Sequence, residues 1–248
     1  MIVLRSNEEI SQIKKAGALV ALTLARLKKH VKAGVTTKEL DRIAEEEISR
    51  HGGVAAFRDY RGYPANICVS INEAVVHGIP SERRLADGDI VSIDVGVRHG
   101  SFFADAAITA GVGNISDAAK KLMRVTEEAL YRGIENARPG RRLSDISASV
   151  QAHVESNGFS VVRAFVGHGI GEKIHEEPEI PNFGAPGKGP ILEPGMILAI
   201  EPMVNAGTFE VEVLDDGWTA VTKDRMLSAH FEHTVAVRDG EAEILTAL

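Results

Sequence analysis

Asp94 and Asp105 lie in two apolar stretches, IVSIDVGV and FFADAAIT, joined by Arg98-His99-Gly100-Ser101. A two-residue hairpin turn at His99-Gly100 predicts pairings of 97 with 102, 96 with 103 and 94 with 105. The two carboxylates then oppose each other, with Cβ atoms about 4.5 to 5.5 Å apart, where like charges destabilise a sheet unless something positive lies between them. A divalent cation, or a pair of them, would supply that charge.

The chain repeats this arrangement. At an offset of 107, ADGDIVSID ending at Asp94 overlays LEPGMILAIE ending at Glu201; further on, FFAD ending at Asp105 resembles AHFE ending at Glu232. At an offset of 106, Gly34, Leu40, Ala44, Ile48 and Gly52 fall on Gly140, Ile146, Val150, Val154 and Gly158. A single duplication, rather than a solenoid, would bring four acids around one pseudo-twofold axis. His168 in VGHGIG adds an imidazole on a glycine-rich segment that leaves it uncovered. Four carboxylates and one histidine form a shell for two divalent ions. Oxygen-dominated ligation favours Mn²⁺, Fe²⁺ or Co²⁺ and admits Zn²⁺. Two such ions sharing a water would lower its pKa and yield a nucleophile near neutral pH. His77 in VVHGIP and His175 in KIHEEP suit acid, base or oxyanion roles.

The elements that must hold these residues are readable from caps and periodicity. Ser6 with Glu9 forms a capping box before an apolar spacing that predicts a helix to about Val31. Further helices are expected over Thr37 to Arg50, Ser116 to Ala137 and Ser144 to Asn157, each stopped by Gly or Pro-Gly. β-Branched strands are expected over Ile67 to Ile71, the hairpin, Ile197 to Val204 and Phe231 to Val237. Helices with hairpin-linked strands indicate α+β architecture. No linker divides the chain, so residues 1–248 are expected to form a single domain of two pseudo-symmetric halves, about 6–112 and 113–248.

With 44% hydrophobic and 25% charged residues, the composition is that of a soluble globular protein. A net charge of −7, without a basic block interleaved with aromatics, argues against nucleic acid as a partner. Cys68 is the only cysteine, which excludes an intrachain disulfide and a thiolate zinc cluster and fits a reducing compartment. The apolar run Ala16 to Ala25 falls well short of the ~20 residues that span a bilayer. Met1 to Arg5 offers no signal peptide, and the expected location is cytoplasmic, as a monomer. GHGIG and GKGP miss the spacing of dinucleotide and phosphate loops. His30, His51, His99, His153, His230 and His233 read as structural or surface residues. Trp218 alone could equally fill a core, and Cys68 reads as a small buried hydrophobe rather than a nucleophile.

The series NEAVVHGIP, IVSIDVG, GHGIG with IHEEP, AIEPM and DGWTAVTKDRMLSAHFEHT resembles that of the type I methionine aminopeptidases, from about Arg5 to the C-terminus. The spacing leaves no room for the large helical insertion of type II enzymes, so the short bacterial form is the expected fit. The resemblance implies a pita-bread fold, a curved antiparallel sheet covered by two pairs of helices. It implies two divalent ions: Asp94 chelating one, His168 and Glu201 serving the other, Asp105 and Glu232 bridging both. It further implies that Glu201 takes a proton from the attacking water, that His175 contacts the scissile carbonyl and that His77 contacts the scissile nitrogen. Phe57, Tyr60, Tyr63, Cys68 and Trp218 match or approximate a methionine pocket, and Asn72 with Ser228 a monovalent-cation site. The implied substrate is the free N-terminal methionine of new polypeptides before a small second residue, with the ribosome exit region as a docking place. Ile174, Phe57 and Ala106 depart from the usual pattern, the first two beside the pocket. The competing readings are a prolidase-like peptidase cleaving before proline and a non-catalytic binding protein on the same fold.

Overall fold

The helices begin where their caps dictate. The Ser6 hydroxyl accepts from the Glu9 N–H while the Glu9 carboxylate accepts from the Ser6 N–H at 2.8 Å, opening α1 (Asn7–His30). The Thr36 and Ser116 hydroxyls cap α2 (Thr37–Arg50) and α3 (Asp117–Asn136), and α4 (Leu143–Ser156) follows. These bounds fall within a residue of the expected ones. The computed structural model describes residues 1–247. Among them no helix is long and apolar enough to cross a membrane.

A nine-stranded antiparallel sheet runs through both halves of the chain. Its strands are β1 (Val54–Ala55), β2 (Cys68–Ile71), β3 (Ile90–His99), β4 (Phe102–Gly111), β5 (Gly167–Gly169), β6 (Glu176–Ile180), β7 (Ile197–Ile200), β8 (Glu232–Ala236) and β9 (Glu243–Ile244). The order is β1-β3-β4-β8-β7-β5-β6, with β2 also beside β3 and β9 beside β8. Helices α1 and α2 pack their apolar stripes on the first half of the sheet, where Ile13, Leu27, Leu40 and Ile48 meet Ile93, Val95 and Val97. Helices α3 and α4 cover the second half through Leu130, Ile134 and Ile146 against Leu198, Ile200 and Val235. Ile108 touches both clusters, so the core is continuous. The repeat is visible in the backbone: Gly34 and Gly140 have φ of 90° and 81°, and Gly88 and Gly195 have 94° and 96°. Only glycine occupies that region cheaply, which is why the duplicated glycines sit at these turns.

Two expectations are corrected. The hairpin turns at Gly100-Ser101, with Gly100 at φ 61°, so β3 and β4 pair His99 with Phe102, Gly96 with Asp105 and Asp94 with Ala107. Asp94 and Asp105 are therefore diagonal neighbours on one face rather than directly opposed. The strand expected over Ile197 to Val204 breaks at Glu201-Pro202. Pro202 has no N–H to give a ladder, and Met203–Asn205 joins a second sheet with Ser228–His230 and Ser160–Val161. Phe231 marks the matching crossing between Ser228–His230 and β8. Glu201 and Glu232 thus lie at the seam where two strands pass from one sheet to the other.

Candidate active site

Sheet register collects the acids. Across β3, β4 and β8, Asp94 pairs with Ala107 and Ala107 with Glu232. The next inward row runs from Gly96 to Asp105, then Thr234, Ala199 and His168. Residues directly opposed or two apart share a face, so these ligand candidates project together. The small residues Gly96, Ala107 and Ala199 between them form a floor with room above it. His168 reaches this floor because a Cβ on Gly167 would run into the Ala199 carbonyl, and one on Gly169 into the Glu177 carbonyl.

Asp105, His168 and Glu232 are buried, and one ligating atom from each lies within 4.8 Å of the others. His168 Nε2 stands 3.5 Å from Asp105 Oδ2 and 3.6 Å from Glu201 Oε1. The His168 Nδ1 is 2.9 Å from the Gly169 carbonyl, which can only accept, so the proton belongs on Nδ1 and the Nε2 lone pair faces the carboxylates. A lone pair facing anions is repulsive until a cation separates them, the orientation found in metal-binding histidines. Asp94 Oδ1 is buried with no hydrogen-bond partner among the described residues.

Electrostatics say the same. Desolvation, then neighbouring carboxylates, hold Asp94, Glu201 and Glu232 well above the ordinary carboxylate range. Desolvation raises Asp105 to about 6, held back by the Thr234 hydroxyl. That hydroxyl accepts from the Asp105 N–H at 3.1 Å and lies 2.8 Å from the Asp105 carbonyl oxygen and 3.0 Å from Oδ1. Burial lowers His168 to about 4, leaving its lone pair free at neutral pH. So many like charges cannot ionise together in one enclosure without cations. The residues present fit a divalent group.

A cavity of about 150 Å³ opens above this floor. One wall is the acid-histidine cluster of Asp94, Asp105, His168, Glu201 and Glu232, and the other is Phe57, Tyr60, Arg61, Tyr63, Cys68, His77, His175 and Trp218. Every residue expected at the metal shell, the methionine pocket and the catalytic histidines therefore meets in one place. Trp218 stands edge-on to Tyr63 with ring centroids 5.1 Å apart, and His77 edge-on to Phe165 at 5.3 Å. His77 holds the left-handed φ of 60°, rare for a side chain of this size. His175 stands at the exposed mouth, its ring 4.3 Å from that of His168 and its Nδ1 2.8 Å from the Tyr60 hydroxyl. Burial and the Asp94 carboxylate push the Cys68 thiol up, which makes it a wall rather than a nucleophile. Phe57 lies over Gly96, where a Cβ would come within 2.6 Å of the ring. Ile174 packs into the core behind the site and does not line the cavity. Asn72, at φ 55°, and Ser228 meet outside it, the Ser228 N–H donating to the Asn72 carbonyl at 2.8 Å.

The model of metallopeptidase family M24 matches residues 11–239. The methionine aminopeptidase of Clostridium perfringens is 56% identical over 248 residues, the whole of both chains. The chain belongs to the methionine aminopeptidases of family M24. Methionine aminopeptidase 1 of Bacillus subtilis is 53% identical over 99% of each chain. The crystal structure of the methionine aminopeptidase of Thermotoga maritima superposes with a TM-score of 0.99 at 45% identity, covering all of both chains. The fold is thus the pita-bread fold, as expected, and the buried acid-histidine cluster is that of a metallopeptidase using divalent metal.

Residues that sequence reasoning missed also touch the cluster. Thr234 fixes Asp105, and the side chain of His230, read as structural or surface, is buried with Nε2 3.6 Å from Glu201 Oε2. Thr234 stands two residues from Glu232 on β8, a period that could have revealed it, whereas His230 lies beyond the crossing at Phe231 in the other sheet.

Proposed function

We propose that the protein removes the initiator methionine from new polypeptides with two divalent ions, favouring small second residues. The observation that carries this reading is the single enclosure in which a metal-ligating wall faces an aromatic and thiol wall, with two histidines beside them. Asp94, Asp105, His168, Glu201 and Glu232 would together hold the ions. Ions held there supply Lewis acidity and a lowered pKa for water.

The protein's own groups do the rest. Glu201, at the seam between sheets, takes the proton of the attacking water and passes it to the leaving amine. The Tyr60 hydroxyl, 2.8 Å from His175 Nδ1, can donate there, and His175 would then carry its proton on Nε2 and donate it to the scissile oxygen as its charge develops. His77, neutral because burial lowers its pKa, contacts the scissile nitrogen. Phe57, Tyr60, Tyr63, Cys68 and Trp218 enclose the methionine side chain, whose thioether packs well against aromatic rings. The cavity is well below the ~300 to 1,000 Å³ of ordinary ligand pockets, which suits one side chain. An adjoining groove of about 610 Å³ shares His168 and His175 with it and offers a path for the following residues. The substrate's free amine would be held at the acid wall, so formylated chains should be refused. Asn72 and Ser228 would hold a monovalent cation, and the protein would act as a cytoplasmic monomer near the ribosome exit.

The test is to strip the protein with chelator and restore Mn²⁺, Fe²⁺, Co²⁺ or Zn²⁺ without oxygen. Met-Ala-Ser is then assayed beside Ala-Ala-Ser and Ala-Pro-Ser. Metal-dependent release of methionine alone is expected and ranks the metals. Cleavage before proline would move the activity to the prolidase type, and silence with every metal would favour a binding protein.

A further inference from the structure

The carboxylate of Glu201 lies between two imidazoles. His168 Nε2 is 3.6 Å from Oε1, and His230 Nε2 is 3.6 Å from Oε2 on the other side. His230 is 2% exposed, and its Nε2 has no hydrogen-bond partner among the described residues. The backbone that carries it is fixed. The His230 N–H donates to Thr109 Oγ1 at 3.0 Å, Thr109 Oγ1 donates to the His230 carbonyl at 2.8 Å, and Ser92 Oγ meets Thr109 Oγ1 at 2.8 Å. Pairing with Met203, two residues beyond Glu201, ties the segments that carry the imidazole and the carboxylate.

We infer that His230 is a positioning residue for Glu201, its Nε2–H donating to Oε2 so that Oε1 stays turned toward His168 and the metal wall. A buried polar atom without a partner costs about 1 to 3 kcal/mol, and a small closure of the 3.6 Å gap provides one. A carboxylate with both oxygens free would rotate about its last torsion; one held from behind presents a single oxygen to the cation and the proton. The inference rests on the reading of Glu201 as ligand and proton acceptor, and its test separates the two.

The experiment uses the full-length protein and two variants, His230→Leu and His230→Gln. Turnover of Met-Ala-Ser by the metal-loaded enzyme, Mn²⁺ affinity by calorimetry and thermal melting are measured for each. Outer partners of metal ligands typically contribute 10- to 100-fold. His230→Leu should lower kcat by about that factor and weaken Mn²⁺ by about 10-fold, with KM within about 3-fold. His230→Gln, whose amide N–H can replace the donor, should restore kcat to within about 3-fold of the parent. A Leu variant with parental kcat and Mn²⁺ affinity, or a Gln variant that melts normally but falls as far as Leu, overturns the inference. If neither variant folds, ¹⁵N-histidine NMR of the unmutated Zn²⁺-loaded protein decides. A proton on His230 Nε2 is expected, and one on Nδ1 with a bare Nε2 overturns it. Should the unmutated protein fail on every peptide, the functional reading falls, while Mn²⁺ affinity and the tautomer still report on His230.

Discussion

Adding a divalent metal to the stripped protein at neutral pH should expel protons, and the number follows from the cluster. Asp94, Glu201 and Glu232 are each held well above the ordinary carboxylate range, chiefly by desolvation and then by one another's charge. Above the ordinary carboxylate range the metal-free fold therefore retains protons that the unfolded chain has lost. A carboxyl whose folded pKa is raised stabilises the fold below its unfolded pKa and loses that contribution as pH rises through its folded pKa. Each retained proton costs about 1.4 kcal/mol of stability per pH unit. The histidines work in the opposite direction at lower pH. His168, His175 and His233, lowered to about 4, and His230, lowered to about 3, lose their contribution as pH falls below the ordinary histidine range. Cys68 enters only near its unfolded pKa of about 8.5. The clean window is thus from about pH 7 to about pH 8, where the stripped protein should lose about 1.4 kcal/mol for each proton the cluster still holds and the metal-loaded protein almost nothing. Urea unfolding at several pH values measures the slope. Calorimetry in buffers of different ionisation enthalpy counts the protons, with one to two expected per protein at saturating metal. A flat profile without metal, together with no proton release on binding, would refute the coupled buried cluster.

Other outcomes are specific. Asp105→Asn should abolish turnover, by more than about 10³-fold, while circular dichroism stays native; an active variant would remove Asp105 from the shared-ligand role. His175→Ala should lower kcat by about 10² to 10³ with KM little changed, because its contact strengthens as charge develops; equal kcat with raised KM would make it a binding residue instead. Gly96→Ala should push the Phe57 ring, which a new Cβ would approach to 2.6 Å, into the cavity. KM for methionyl peptides should rise about 10-fold, and an unchanged KM would mean that Phe57 does not bound the pocket. Arg5 joins Glu172 at 3.1 Å and Glu176 at 2.9 Å, on the segment that bears His175, with its side chain 3% exposed. Arg5→Ala leaves Glu176 unpaired and should cost about 3 kcal/mol by urea unfolding; a loss under about 1 kcal/mol would show the pair to be dispensable.

The helices were legible because their signals are local: Ser6, Thr36 and Ser116 cap them, and Gly34 and Gly140 close the matching turns of the repeat. The acid set was legible for a different reason. Moving the hairpin turn from His99-Gly100 to Gly100-Ser101 shifts every pairing by two residues, and a shift of two leaves each side chain on its original face. The observed register differs from the expected one, and Asp94 and Asp105 lie on one face in both. Glycine serves either central position of a tight turn, so the local sequence did not choose between the two. The approach of His230 to Glu201 and the bond of Thr234 to Asp105 are not legible, because those partners lie far along the chain and are matched by sheet register. The Arg5 pairing with Glu172 and Glu176 was hidden for the same reason.

The most direct test of the central claim is the intact mass of a small purified polypeptide beginning Met-Ala, incubated with stripped or metal-loaded protein. Its N-formylated counterpart and the Asp105→Asn variant are run alongside. The account predicts loss of one methionine residue from the free-amine polypeptide with metal only, none from the formylated chain, and none with the variant. Removal that persists without metal, or that proceeds equally on the formylated chain, would contradict it.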